Sequence, residues 1–194
     1  FSAEEMTAAL RRLRRDRARE AILISTCNRT ELYYVPAGAG DGAPMWETLV
    51  SLKGPGQPPG ADHFYRLGGL QGVKHLFKVV SGIDSMVLGD VQITAQVKDA
   101  YTAAVEHGTT GTITNRLFSA AMHVGKRVRS ETQIGEGAIS VSYLAAELAT
   151  KIFSDLSQRS ALLEGIGETG KLPARHLASR NLGNPVIATR PLDA

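Results

Sequence analysis

The chain has 194 residues, 43% of them hydrophobic and 21% charged, with a formal net charge of +3. That composition suits a globular protein with room for one full domain and part of a second, and no apolar run is long enough to span a bilayer. The single cysteine, Cys27, rules out an intrachain disulfide and any cysteine-based zinc site.

In chain order, Ser2-Ala3-Glu4-Glu5 has the form of a capping box, and Met6, Leu10 and Leu13 follow at helical spacing. These residues predict a helix over 3–19. Its arginines, Arg11, Arg12, Arg14, Arg15, Arg17 and Arg19, read either as a solvated face or as a nucleic-acid patch. Two strands are expected at 21–26 and 31–35, a glycine- and proline-rich break over 36–44, and a short helix at 45–53. Residues 54–60 read as a loop and 63–67 as a short strand. From residue 70 the pattern turns helical. Val73, Leu76, Phe77 and Val80 make one apolar face; Val97, Ala100, Tyr101 and Ala104 make another, after a glycine-marked break near 82–90. Leu117, Ala120, Ala121, Val124 and Val128 continue on a long helix ending near Thr132, and a further helix is expected over 140–153.

The tail reads as a strand at 160–163, a glycine turn at Gly165-Ile166-Gly167-Glu168-Thr169-Gly170, a helix reaching about 181 and a strand at 185–188. This is the opening of a dinucleotide-binding unit, in which glycines let the backbone approach a pyrophosphate at a helix N-terminus. Arg190, near the end of the second strand, would suit a 2′-phosphate and favours NADP over NAD.

Cys27 closes the apolar run Ala21-Ile22-Leu23-Ile24, two residues before Arg29. If the backbone stays extended, both side chains leave one face, and a nearby guanidinium favours the nucleophilic thiolate. A buried structural cysteine is the other reading, and both stand on spacing alone. Of the five histidines, His63, His75, His107, His123 and His176, none shares a metal-ligand spacing with another, so no metal is expected. All but His75 read as core residues, as do Tyr33, Tyr34, Phe77 and Phe118.

Ser25-Thr26-Cys27-Asn28-Arg29-Thr30-Glu31, the run from His75 to Asp90 with Ser81-Gly82-Ile83-Asp84-Ser85-Met86-Val87-Leu88-Gly89 inside it, Gln92-Ile93, Gln96-Val97-Lys98 and the stretch from Gly125 to Thr132 together resemble the glutamyl-tRNA reductase family. That family opens the five-carbon route to tetrapyrroles such as porphyrin and heme. The resemblance implies that Cys27 attacks the ester of glutamyl-tRNA to give a thioester, which NADPH reduces to glutamate-1-semialdehyde. It implies substrate contacts at Thr26, Cys27, Asn28, Arg29, Ser85, Asp90, Val91, Gln92 and Gln96, with Arg29 as a fork for a carboxylate. It gives His75 a catalytic task, polarising the carbonyl or moving a proton to the leaving hydroxyl. Gly165, Ile166, Gly167, Glu168, Thr169 and Gly170 match the cofactor-binding phosphate loop. Further implied are a cytoplasmic setting, no membrane association, partnership with the aminomutase that takes the semialdehyde, and a homodimer made through a C-terminal helical domain.

One departure is Asp90-Val91-Gln92, where the family usually has Glu-Pro-Gln. The family's opening strand, most of its nucleotide domain and its dimerisation domain are expected to lie outside these residues. The expected fold is therefore an α+β catalytic domain over 1–155, a small mixed sheet with flanking helices, followed over 156–194 by the first βαβ of a Rossmann-like domain. A chain of this extent is expected to acylate at Cys27 and then lose glutamate to water as a slow esterase. A non-catalytic tRNA-binding module and a thiol redox sensor are the rival readings.

Overall fold

The computed structural model describes residues 3–16, 18–38, 45–51, 60–90, 92–135, 141–164 and 175–188. The chain forms two compact units, Phe1–Glu136 and Gly137–Ala194.

In the first unit the elements run α1 (Ala3–Asp16), β1 (Ala18–Ser25), β2 (Thr30–Pro36), α2 (Met45–Ser51), a 3₁₀ turn (Ala61–His63), α3 (Leu70–Val80), α4 (Gln92–Glu106), α5 (Thr112–Glu131) and a second 3₁₀ turn (Gln133–Gly135). β1 and β2 pair antiparallel from Glu20↔Val35 to Ser25↔Thr30. α1 and α4 pack against β1, and α3 packs against α5. β1 is the spine of the unit, with Ala21, Ile22, Leu23 and Ile24 all fully buried. The N–H of Ala21, directed away from β2, donates to Thr109 O at 2.8 Å.

This burial corrects the first helix. It ends at Asp16 instead of 19 because Ala18, already buried, belongs to β1. Packing outweighs helix propensity there. α1 turns Ala9, Leu10 and Leu13 inward and leaves Arg11, Arg12, Arg14 and Arg15 exposed, the arrangement of a solvated face. Arg19 is exposed on β1; Ser2 and Arg17 lie outside the described residues.

Of the expected faces of α3 and α4, Leu76, Val80, Val97, Ala100 and Ala104 are buried and Val73, Phe77 and Tyr101 half-buried, and Val79 is buried as well. On α5 the buried line is Thr114, Phe118, Ala121 and Gly125, while Ala120 is exposed. Gly125 allows close packing, since a Cβ there would sit 3.0 Å from Val80 O on α3 and force the two helices slightly apart. Phe118 is fully buried, stacked on Tyr101 and edge-on to Tyr33. Tyr33, Tyr34 and Phe77 pack half-buried on the same core.

The strand expected at 63–67 does not form. Residues 64–68 have no regular structure; Phe64 stacks on Trp46 of α2, and Tyr65 and Leu67 face solvent. Alternating apolar residues make a strand only when a neighbouring strand takes their backbone groups, and β2 pairs with β1 instead. His63 and His123 are exposed, against the core reading. His107 is half-buried with Nε2 3.0 Å from Thr7 Oγ1, and His176 lies edge-on to Tyr143.

Glu20 on β1 supplies the N-terminal cap of α5. Its carboxylate accepts from the amide and hydroxyl of Thr114, at 2.7 and 2.8 Å, and from the amide of Ile113 at 3.4 Å. Burial pushes the carboxyl up, but these hydrogen bonds outweigh it and hold the group below its ordinary range. A depressed folded value means stabilisation that is present above about pH 4.5 and is lost as pH falls through the folded value. Glu20→Ala is therefore expected to cost about 2 kcal/mol at pH 7 in urea unfolding, with the gap to wild type narrowing below pH 4.5.

In the second unit α6 (Val141–Phe153) precedes β3 (Ser160–Glu164), residues 175–178 are helical, and β4 (Asn184–Ala188) follows. β3 and β4 are parallel, with Leu162 opposite Val186. Arg180 ties the helical segment to α6, bonding Glu147 at 2.9 Å and lying over the Tyr143 ring. The Gly165–Gly170 turn, Thr189 and Arg190 lie outside the described residues. Among the described residues no helix is long and apolar enough to cross a membrane.

Candidate functional site

The link between β1 and β2 is a four-residue turn. Thr26 N donates to Arg29 O at 2.9 Å, and Thr26 Oγ1 accepts from the amides of Asn28 and Arg29, both at 3.1 Å. Threonine suits this position because its hydroxyl stands in for a backbone acceptor. Cys27 and Asn28 are left exposed at the tip. Exposure removes the buried-structural reading of Cys27. The turn also overturns the premise of an extended backbone from Cys27 to Arg29, and Arg29 folds back toward the start of β2.

There Arg29 enters a cluster drawn from three places in the chain. Its Nη1 donates to Glu31 Oε1 at 2.6 Å, and its Nη2 donates to the backbone carbonyl of Asp84 and lies 3.9 Å from Asp84 Oδ1. His75, on the second turn of α3, sits between the same two acids. Its Nε2 is 3.0 Å from Glu31 Oε1 and its Nδ1 is 3.2 Å from Asp84 Oδ2. A neutral ring can donate to only one of these carboxylates; an imidazolium serves both. Tyr33 donates to Glu31 Oε2 at 2.6 Å, and the Tyr65 hydroxyl lies 3.3 Å from His75 Nε2.

Arg29, Glu31 and His75 are nearly covered, their side chains 15%, 10% and 13% exposed, whereas Asp84 is 48% exposed. The solvent-facing side of the cluster is therefore the Asp84 side. Burial raises the Glu31 carboxyl, but donors from Tyr33, His75 and Arg29 prevail and hold it below its ordinary value. Burial and then the adjacent Glu31 charge push the Tyr33 phenol up, so it remains a donor.

Asp84 is placed by the loop that leaves α3. The amides of Ile83 and Asp84 both donate to Lys78 O, and Gly89 N closes the loop on Gly82 O at 2.9 Å. Gly82 and Gly89 both take positive φ, and a Cβ on Gly89 would meet Ile134 O at 2.1 Å, so a side chain is excluded twice over. Ser85 is half-buried in this loop. Asp90 Oδ1 accepts from Gln92 N at 2.9 Å and so opens α4, on whose first turns the half-buried Gln92 and Gln96 stand. Val91 lies outside the described residues.

Of the residues expected at the site, Thr26, Cys27, Asn28 and Arg29 share one turn, and His75 joins them through Glu31. Ser85 follows Asp84 directly. Glu31, Asp84, Tyr33 and Tyr65 were not expected as site residues. Strand alternation could have found Glu31 and Tyr33, two and four places after Arg29. Nothing in spacing marks Asp84, 55 residues from Arg29. Among the described residues no group of three or more His, Cys, Asp or Glu could hold a metal ion.

The arrangement offers an exposed thiol in the same turn as Arg29, with the guanidinium and the His75 imidazole held by Glu31 and Asp84.

A family model described as glutamyl-tRNAGlu reductase, N-terminal domain, matches residues 1–132. Proteins named glutamyl-tRNA reductase from Chlorobium limicola and Chlorobium phaeobacteroides are each 48% identical over 176 residues, which is 90% of this chain but 42% and 41% of those proteins. Among solved structures, a glutamyl-tRNA reductase from Methanopyrus kandleri superposes with a TM-score of 0.60 at 33% identity, covering 98% of this chain and 47% of that one. The chain thus spans less than half the length of the relatives it matches.

Proposed function

The chain belongs to the glutamyl-tRNA reductase N-terminal domain family, and on that premise we propose that it carries the acyl-transfer half of a glutamyl-tRNA reductase. The observation that supports this most is Cys27 exposed in the same turn as Arg29, whose guanidinium is already held by Glu31 and Asp84.

In this reading Arg29 receives the side-chain carboxylate of the glutamyl group, which exchanges with the half-exposed Asp84. The Cys27 thiolate attacks the ester carbonyl, the bond to the ribose oxygen breaks, and a thioester forms. His75 supplies the proton that the leaving ribose oxygen requires, and its two carboxylate neighbours set the ring's orientation. Thr26 keeps the turn closed so that Cys27 stays presented; Asn28, Ser85, Asp90, Val91, Gln92 and Gln96 are the further substrate contacts that the family resemblance implies. A thioester carbonyl is less resonance-stabilised than an oxygen ester, which makes it the better hydride acceptor.

NADPH would supply that hydride. The parallel β3 and β4, with a helical segment between them in sequence, support a dinucleotide unit whose phosphate loop is Gly165–Gly170, and Arg190 suits a 2′-phosphate. On this reading residues 1–155 are the catalytic domain and 156–194 the start of the nucleotide domain, working in the cytoplasm on glutamyl-tRNA. The aminomutase would be the next enzyme to receive the semialdehyde, and a second copy of the full-length protein would complete the dimer.

The test is intact-mass spectrometry of the chain mixed with glutamyl-tRNA. A glutamyl adduct on Cys27 is the expected result, and its absence at saturating substrate would overturn the reading. Adding NADPH then separates two outcomes for this stretch of sequence: semialdehyde shows that it completes the reduction, and free glutamate shows an esterase.

A further inference from the structure

Tyr65 is 69% exposed, yet it stands at the edge of the cluster of Arg29, Glu31, His75 and Asp84. Its hydroxyl lies 3.3 Å from His75 Nε2, and its ring meets the imidazole edge-on, at 5.7 Å and 82°. One end of the ring is therefore fixed while most of its surface is left to water. A hydroxyl contact explains a tyrosine at this place; it does not explain an open aromatic face.

The proposed substrate accounts for the face. Its glutamyl group is an ester of the ribose at the 3′ end of an RNA, so a purine ring is carried only a sugar away from the reacting carbonyl. With the carboxylate on Arg29 and the carbonyl at Cys27, the ribose and base must leave the cluster on its solvent side. We propose that Tyr65 is the stacking platform for the terminal adenine of the charged tRNA, a role that rests on the acyl-transfer reading above. A ring already held by His75 loses little freedom when a base stacks on it, and stacking serves a purine without any hydrogen-bond readout. Tyr65 so acts as a specificity residue: it makes the site prefer an ester of an adenosine over an ester of a simple alcohol, and it couples the base to the imidazole that protonates the leaving oxygen.

The experiment compares Cys27 acylation rates of the full chain with two small esters, 3′-O-glutamyl-adenosine and glutamate 1-methyl ester, in wild type, Tyr65→Phe and Tyr65→Ala. Using the ratio of the two rates cancels the intrinsic difference between the leaving groups. Tyr65→Ala is expected to lower the nucleoside-to-methyl ratio about tenfold, the scale of one base on one aromatic ring, while any loss from the missing contact to His75 falls on both esters and cancels in the ratio. Tyr65→Phe keeps the face and is expected to keep the ratio. An unchanged ratio in Tyr65→Ala overturns the proposal, and so does an equal fall on both esters in both variants, which would make Tyr65 only a support for His75. If wild type is acylated by neither ester, the acyl-transfer reading fails and this inference falls with it; acylation by both with no change of ratio sinks the stacking alone.

Discussion

Replacing Cys27 by Ser is expected to remove the glutamyl adduct and to lower turnover of glutamyl-tRNA by roughly 10³-fold or more, while leaving the fold intact. The structural half of this expectation follows from exposure. Cys27 sits at the tip of the turn, outside the core, and the turn is closed by Thr26 and Arg29 backbone and hydroxyl bonds that do not involve the thiol. The chemical half follows from the nucleophile. A serine hydroxyl needs a strong base to match a thiolate, whereas in the proposed step His75 acts as the acid toward the leaving ribose oxygen. Urea midpoints of the two proteins are expected to agree. The same variant separates the rival readings: a tRNA-binding module would keep its affinity and its salt dependence unaltered, and a redox sensor would lose peroxide reactivity without any protection of the wild-type thiol by glutamyl-tRNA. A Cys27→Ser chain that still produced semialdehyde or free glutamate at the wild-type rate would exclude the nucleophile assignment.

The parts of the fold legible in the sequence were those governed by local periodicity. The buried faces of α3 and α4 and the two strands flanking the Cys27 turn follow from spacing, because α3, α4 and β1 each bury an apolar set and β2 packs half-buried beside β1. The parts that were not legible depend on distant partners. Helix α1 stops early because Ala18 is drawn into the core, and residues 64–68 stay irregular because no strand is offered to them. Glu20 looks like a surface acid on a strand until α5, more than ninety positions later, turns its N-terminus toward it. The site divides in the same way. Cys27 and Arg29 could be singled out as reactive types close in sequence, yet their relation was misjudged, since two residues of extended chain and a four-residue turn point the side chains differently. Asp84 could not have been found from sequence; only the path of the loop between Gly82 and Gly89 brings its carboxylate to His75.

That division makes Glu31 the sharper probe of the cluster, because it is the hub. One oxygen takes Arg29 and His75, and the other takes Tyr33. Glu31→Gln keeps the size of the side chain and removes the charge. An amide offers one oxygen and one NH₂ where the carboxylate offered two acceptors, so either Tyr33 or the Arg29–His75 pair must face a donor. Arg29 is 15% exposed and loses its nearest counter-charge, leaving Asp84 as its remaining acidic partner. Acylation of Cys27 by glutamyl-tRNA is expected to fall about 100-fold, the scale on which groups that orient a reacting residue act, and urea stability by about 2 kcal/mol at pH 7. Tyr33→Phe, which deletes one donor and keeps the ring on Phe118, is expected to give a fraction of both effects. The pH dependence has a definite sign. The folded carboxyl is held below 4.5, so the stabilisation it provides is complete above that value and is lost as pH falls through the folded value. Wild type should therefore lose its advantage over Glu31→Gln in acid, and the two unfolding curves should converge. If Glu31→Gln acylates at the wild-type rate while its stability falls, Glu31 serves only the fold, and the orientation of His75 and Arg29 must come from Asp84.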